Sequence, residues 1–304
     1  MGFGFIVEFL RQQRFKRRTT LISTEDLAAH LDGSVAIVDC RYDLREEEWG
    51  RAQYRAGHVP GAVYASLSKD LSSAPTGSNG RHPVPCVEDL EVTFGRLGIS
   101  ASTQVAIYDQ DSGIFASRMW WTLRYLGHDA AAVLDGGWAR WVREGRPVQS
   151  GDEHRAPATF TGRRRKEMRM PLDQVQSALG SGSMLLVDAR APERFEGRNE
   201  TVDRVAGHIP GAVNHFYKRN LTDEGQMLPP DALRRQFEEV LGGRPAEQLV
   251  MYCGSGVTAC HNLLAMEHAG IHGAKLYPGS WSEWSSDPQR PVETGPARLT
   301  TKPS

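Results

Sequence analysis

One eight-residue phrase occurs twice in this chain. Ala56-Gly57-His58-Val59-Pro60-Gly61-Ala62-Val63 returns as Ala206-Gly207-His208-Ile209-Pro210-Gly211-Ala212-Val213, 150 positions on, with one conservative change. The flanks repeat in the same order. The apolar run and Asp-x-Arg at 35–41 match 184–190, the run at 105–108 matches 249–252, and Gly136-Gly137-Trp138 with Trp141 matches Gly279-Ser280-Trp281 with Trp284. Similarity at a fixed offset means two copies of one folding unit, and 304 residues is a length that two such units fill. The expected division is an N-terminal extension at 1–19, a first module at 20–148, a linker at 149–170, a second module at 171–295 and a tail at 296–304.

Each module reads as α/β. Four-residue apolar runs ending at Asp39, Asp109, Asp188 and Cys253 are continuous rather than alternating, as in strands buried on both faces of a parallel sheet. Amphipathic segments at 24–32, 87–97 and 116–127, and again at 171–179, 230–241 and 258–269, supply helices for both faces of each sheet. Chemistry in such folds sits beyond the carboxyl ends of the strands. The linker carries Gly151, Pro157 and the cluster Arg163-Arg164-Arg165-Lys166, expected to be a solvated face.

Charge excludes some partners. Thirty-six Lys+Arg against 37 Asp+Glu give no basic surface for nucleic acid or acidic lipid. Four irregularly spaced cysteines, Cys40, Cys86, Cys253 and Cys260, form neither a disulfide framework nor a zinc pattern, which points to a reducing, cytoplasmic setting. No run of 18 apolar residues is present to span a membrane. In the first 18 residues the apolar stretch precedes the arginines, the reverse of a secretory signal, and an extension ahead of the folded domain is expected.

The most informative loop is Cys253-Gly254-Ser255-Gly256-Val257-Thr258, between a buried strand and a helical pattern. Two glycines let the backbone curl so that N–H groups and a helix N-terminus face the sulfur. A free thiol is only about 3% ionised at pH 7, and about 2 kcal/mol of anion stabilisation would bring it to about half. Cys253 is therefore expected to be a nucleophile, held anionic and open to incoming donors. The matching loop of the first copy, Asp109-Gln110-Asp111-Ser112-Gly113, has no cysteine, and its acidic residues would repel an anion. The first module is expected to be catalytically silent and to supply one wall of a cleft.

These paired modules, with GHxPGA, GGW and a cysteine loop in the second copy, resemble the two-domain rhodanese-type sulfurtransferases over about residues 20–295. The CGSGVT loop is similar to that of the 3-mercaptopyruvate sulfurtransferases, whereas thiosulfate-preferring relatives usually carry cations straight after the cysteine. The resemblance implies sulfur transfer through a Cys253 persulfide, without metal or organic cofactor, from 3-mercaptopyruvate or thiosulfate to cyanide or a thiol such as a small thiol or a thioredoxin-like protein. It implies that Arg194 binds the donor carboxylate, since a guanidinium grips a carboxylate with two parallel bonds. A second arginine some nine residues later has shifted in spacing here, which leaves Arg204 nearest and Arg198 as an alternative. Gly254, Gly256, Val257 and Thr258 complete the expected binding loop. A proton relay would join Ser255 to His82, with Ser68 standing where an acidic residue is usual and Asp70 close by.

Other residues read as scaffold. His58 and His208 occur in both copies and hold a turn, the tryptophans pack the sheet ends with Trp281 a candidate for the cleft, and Cys260 is core. A cysteine phosphatase would need an arginine where Ala259 stands and a loop one residue longer. A non-catalytic sulfur carrier is the remaining rival.

Overall fold

The computed structural model describes residues 17–297, so the sequence at 1–16 and 298–304, with most of the expected extension and tail, lies outside the described residues. The apolar runs become short strands. In the first half β1 (Leu21–Ile22), β2 (Val35–Asp39), β3 (Val63–Tyr64), β4 (Gln104–Tyr108) and β5 (Ala131–Leu134) form a sheet in the order β1-β5-β4-β2-β3. In the second half β6 (Leu185–Asp188), β7 (Val213–Asn214), β8 (Leu249–Tyr252) and β9 (Lys275–Leu276) are ordered β7-β6-β8-β9. Every strand pairing is parallel. The fifth strand of the second sheet survives as one parallel bridge between Arg169 and Leu276.

Helices cover both faces. The first half has α1 (Thr24–Ala28), α2 (Trp49–Ala56), α3 (Val87–Arg96), α4 (Ile114–Tyr125) and α5 (Gly137–Arg143). The second has α6 (Leu172–Ala178), α7 (Pro192–Phe195), α8 (Pro230–Leu241), α9 (Thr258–His268) and α10 (Ser280–Trp284). Among the described residues no helix is long and apolar enough to cross a membrane. Local signals set the ends. Glu88 and Asp89 lie in the first turn of α3, where the helix dipole favours them, and α8 opens on Pro230 and stops at Gly242 with φ 54°.

Three apolar clusters divide the interior. Ile37, Tyr108 and Trp141 belong to an outer cluster of the first half, and Tyr252, Trp281 and Trp284 to its counterpart in the second. The largest cluster runs through both halves, from Val38 and Trp120 to Met251 and Leu264. Its centre is α4 packed against α9. Residues 115–123 and 259–266 are buried all round, so these two segments are not the amphipathic surface helices expected from sequence. Each is sandwiched between its own sheet and the other half.

The repeated motifs turn out to be scaffold of one design. Arg41 pairs with Asp39 and Arg190 with Asp188, both at 2.6 Å and fully enclosed. The same guanidinia donate to Gly57 O (2.6 Å) and Gly207 O (2.8 Å), clipping each strand end to the repeated turn. His58 and His208 bond Tyr54 O and Phe195 O through Nδ1 and stack on those same rings, which is the turn-holding role expected of them. Trp281 is wholly buried, with its indole N–H on Val205 O at 2.8 Å, and is core rather than cleft wall. Within the basic cluster, Arg165 makes a two-bond pair with Asp129 (2.7 Å each), so that position is structural rather than free in solvent.

Candidate active site

β4 and β8 are followed directly by corresponding residues, Asp109 and Cys253, whose carbonyls accept from Trp138 N and Trp281 N, both at 2.9 Å. The Cys253 N–H donates to Ser280 Oγ (3.1 Å), and that hydroxyl donates to Tyr277 O (3.0 Å). Ser280 has φ 55°, the left-handed conformation that Gly137 (φ 54°) adopts at the same place in the first module. A side chain there costs on the order of 1 kcal/mol, and it places a hydroxyl under the cysteine. Gly256, at φ 73°, carries the loop past Pro278 so closely that a Cβ would lie 2.4 Å from Pro278 O. Its N–H then points at Cys253 Sγ, 3.2 Å away.

His82, from the loop before α3, reaches across to bond Ser255 Oγ through Nδ1 at 2.8 Å. Burial, then Arg118 and Arg81, push the imidazole down to about 3, so it is neutral at physiological pH. The sequence-predicted acidic partner is not there. Asp70 accepts from Ser66 N (2.7 Å) and pairs with Arg96, while Ser68 donates to Glu47.

Two guanidinia lie over Gly254. A Cβ built on that glycine would sit 3.0 Å from Arg81 Nη2, 3.6 Å from Arg194 Nη2 and 3.6 Å from Asp203 Oδ2. Asp203 bridges the pair, at 2.5 Å to Arg81 and 2.8 Å to Arg194, and Glu200 holds Arg194 at 2.9 Å. Arg204 is exposed and lines a 670 Å³ cavity beside Arg81 and Asp203, while Arg198 pairs with Glu196 at the surface. Neither makes a described contact with the loop. Arg81 and Asp203 are the residues that sequence reasoning missed; the basic neighbour of His82 was the only signal for the first.

Cys253 is 2% exposed, whereas an open thiolate was expected. The Arg81–Asp203 bridge joins the halves above the loop, so a donor has to displace side chains to reach the sulfur. Cys260 is fully buried, donates to Gly256 O (3.3 Å) and is pushed up to about 12, chiefly by burial. It is the core residue that the sequence suggested.

The corresponding turn of the first half is filled by its own side chain. The Asp109 carboxylate accepts from the N–H groups of Gly113 (2.9 Å), Phe115 (2.8 Å), Ala116 (3.2 Å) and Asp111 (3.2 Å). The donors that a foreign anion would need in this turn are therefore already taken, and the exposed acid Asp111 stands beside them.

A model of the rhodanese-like domain matches residues 23–144 and again residues 171–287. The chain belongs to the rhodanese family. It is 43% identical over 279 residues to the "Probable 3-mercaptopyruvate sulfurtransferase" of Pseudomonas aeruginosa, covering 90% of this chain and 98% of that one. It is 32% identical over 265 residues to the thiosulfate sulfurtransferase of Gallus gallus, covering 84% and 88%. Among solved structures, 3-mercaptopyruvate sulfurtransferase from Leishmania major superposes with a TM-score of 0.77 at 30% identity, covering 90% of this chain and 75% of that one. Both donor names thus occur among rhodanese relatives of this chain.

Buried imidazoles give this rhodanese a definite acid response. His215 Nε2 donates to Asn220 Oδ1 (3.0 Å), Asn220 Nδ2 donates to His261 Nδ1 (3.2 Å), and His261 Nε2 donates to Ser112 O (2.9 Å). Burial pushes both histidines down to about 4 and His82 to about 3. Because these values lie below that of the unfolded chain, about 6.5, stability should be complete above that pH and fall as the solution is acidified toward them. Asp109, raised to about 6 by burial, opposes with one proton. Each net proton is worth about 1.4 kcal/mol per pH unit. The urea midpoint should drop between pH 6 and pH 5, with a shallower slope in His261→Gln; a midpoint that holds or rises on acidification would contradict it.

Proposed function

We propose that this chain is a sulfurtransferase in which Cys253 takes a sulfur atom from 3-mercaptopyruvate and passes it on from a persulfide. The observation that carries the reading is a cysteine directly after β8 with the Gly256 N–H on its sulfur, in a loop whose Gly254 lies beneath the guanidinia of Arg81 and Arg194. The carboxylate of the donor would bind those two arginines in place of the Asp203 bridge, with Arg81 taking the role that the sequence gave to Arg204. The backbone of Gly254, Gly256, Val257 and Thr258 would line the reacting sulfur at the start of α9. Attack of the Cys253 thiolate on the donor sulfur forms the S–S bond. The C–S pair leaves with the pyruvate enolate, which takes a proton to give pyruvate. Ser255, bonded to a neutral His82, would pass that proton, the imidazole relaying it rather than storing it. A small thiol, a thioredoxin-like protein or cyanide then attacks the outer sulfur and releases the thiolate. The first module is silent in this scheme, and a cytoplasmic setting suits a free cysteine.

Charge favours the mercaptopyruvate reading over the thiosulfate alternative. Around Gly254, Arg81 and Arg194 are matched by Asp203 and Glu200, so little positive charge is left over for a dianion beside the reacting sulfur. Steady-state kinetics should give kcat/KM for 3-mercaptopyruvate at least about tenfold above that for thiosulfate, and Arg81→Met or Arg194→Met should lower it by about 10–100-fold, mostly through KM. An equal or higher value for thiosulfate would reassign the donor while leaving Cys253 in place.

A further inference from the structure

Arg118 and His261 occupy the same position in the two copies, five residues beyond Gly113 and Gly256, the positive-φ glycines at the starts of α4 and α9. Each reaches into the other half. His261 Nε2 donates to Ser112 O in the turn filled by Asp109. Arg118 donates through Nη1 to Gly256 O (2.9 Å) in the cysteine loop, and through Nη2 to His82 O (2.9 Å) and Leu71 O (3.4 Å). The two halves thus prop one another's loops, by a neutral group on one side and by a permanent cation on the other.

The cation is placed unusually. Arg118 is 0% exposed, and its side chain donates to three carbonyl oxygens and meets the Cys260 thiol, with no carboxylate paired to it among the described residues. A buried guanidinium without an anion is costly. Burial lowers its proton affinity, and the charges that would restore it are the sulfurs of Cys260 and Cys253. Burial pushes the Cys260 thiol up to about 12, and the other sulfur within reach of this charge, that of Cys253, faces the N–H of the same Gly256 whose carbonyl Arg118 holds. Other charged or titratable groups around the loop are His82, neutral, Arg169, whose charge opposes that of Arg118, and Arg81, Arg194 and Asp203 on the outer side of the loop.

We propose that Arg118, from the half without the cysteine loop, is a positioning residue for the nucleophile: it pins Gly256 so that its N–H aims at Cys253 Sγ, ties His82 to the same guanidinium, and brings a buried positive charge to the loop that holds the reacting sulfur. This rests on Cys253 being the reacting group, and it assigns the silent half a part in the chemistry beyond enclosing it.

Site-resolved alkylation of the full chain by iodoacetamide, followed by mass spectrometry against pH in a Cys86→Ala background, tests the charge without any sulfur donor. Arg118→Met should raise the midpoint of Cys253 alkylation by about one pH unit or more and lower turnover at least about tenfold. Arg118→Lys should keep the midpoint nearer to wild type yet still lower turnover, because an ammonium cannot hold Gly256 O and His82 O in a fork. His261→Gln, at the mirrored position, should leave the midpoint in place. If Arg118→Met is too unstable to purify, the lysine variant decides alone. An unchanged alkylation midpoint in Arg118→Met, or a lysine variant with wild-type turnover, would overturn the proposal. Failure of the wild-type Cys253 to take up sulfur would instead remove the functional reading beneath it.

Discussion

Cys253→Ser is expected to abolish sulfur transfer and the one-sulfur mass gain that the wild-type chain should show after incubation with donor. A hydroxyl is not ionised near neutral pH, and its oxygen cannot form a persulfide. Folding should be nearly unaffected, since the main polar contact of the sulfur is the Gly256 N–H at 3.2 Å, which a serine Oγ can also accept. The stability change should be within about 1 kcal/mol, so loss of turnover can be read as chemistry. Intact-mass measurement of both proteins decides it. A sulfur adduct that persists in the variant and maps to Cys86 or Cys260 would show that another thiol receives the sulfur.

Asp109→Ala should unfold the chain more readily than most single changes in the first half. It strands the N–H groups of Asp111, Gly113, Phe115 and Ala116 in a buried turn at once. An unsatisfied buried donor costs about 1–3 kcal/mol. With partial hydration of the emptied turn, a loss of about 3–5 kcal/mol is expected, or a Tm about 10 °C lower for a chain this long. Turnover at 25 °C should stay within about twofold of wild type, because the residue faces no substrate. Calorimetry alongside kinetics separates the two readouts. A variant that keeps its Tm would mean that the turn needs no internal anion.

How much was legible in the sequence depended on range. The duplication, the strands at 35–39, 104–108, 185–188 and 249–252 and the cysteine turn follow from local patterns, and all fall where the pattern put them. The helices at 116–127 and 258–269 were found but their surroundings were not: a helix covered by a second module on its outer side loses the polar face that marks a surface helix. The Ser255–His82 bond, which joins residues 173 positions apart, came from family resemblance, since no periodicity encodes such a contact. The second guanidinium was sought along the chain near Arg194, in Arg204 or Arg198, yet Arg81 is brought to Gly254 from the other half by the packing of α4 on α9. Asp203, which no sequence pattern singled out, is the clasp between Arg81 and Arg194.

The large apolar cluster shared by both halves has a consequence for the handling of the molecule. Each repeat keeps an outer cluster of its own but does not close its inner side: without the second half Trp120 and Trp121 would face water, and without the first Leu263 and Met266 would. Heat or denaturant should therefore act on the whole chain as one cooperative unit despite its tandem ancestry. The half that lacks the cysteine loop therefore cannot be trimmed away without unsettling the half that carries it.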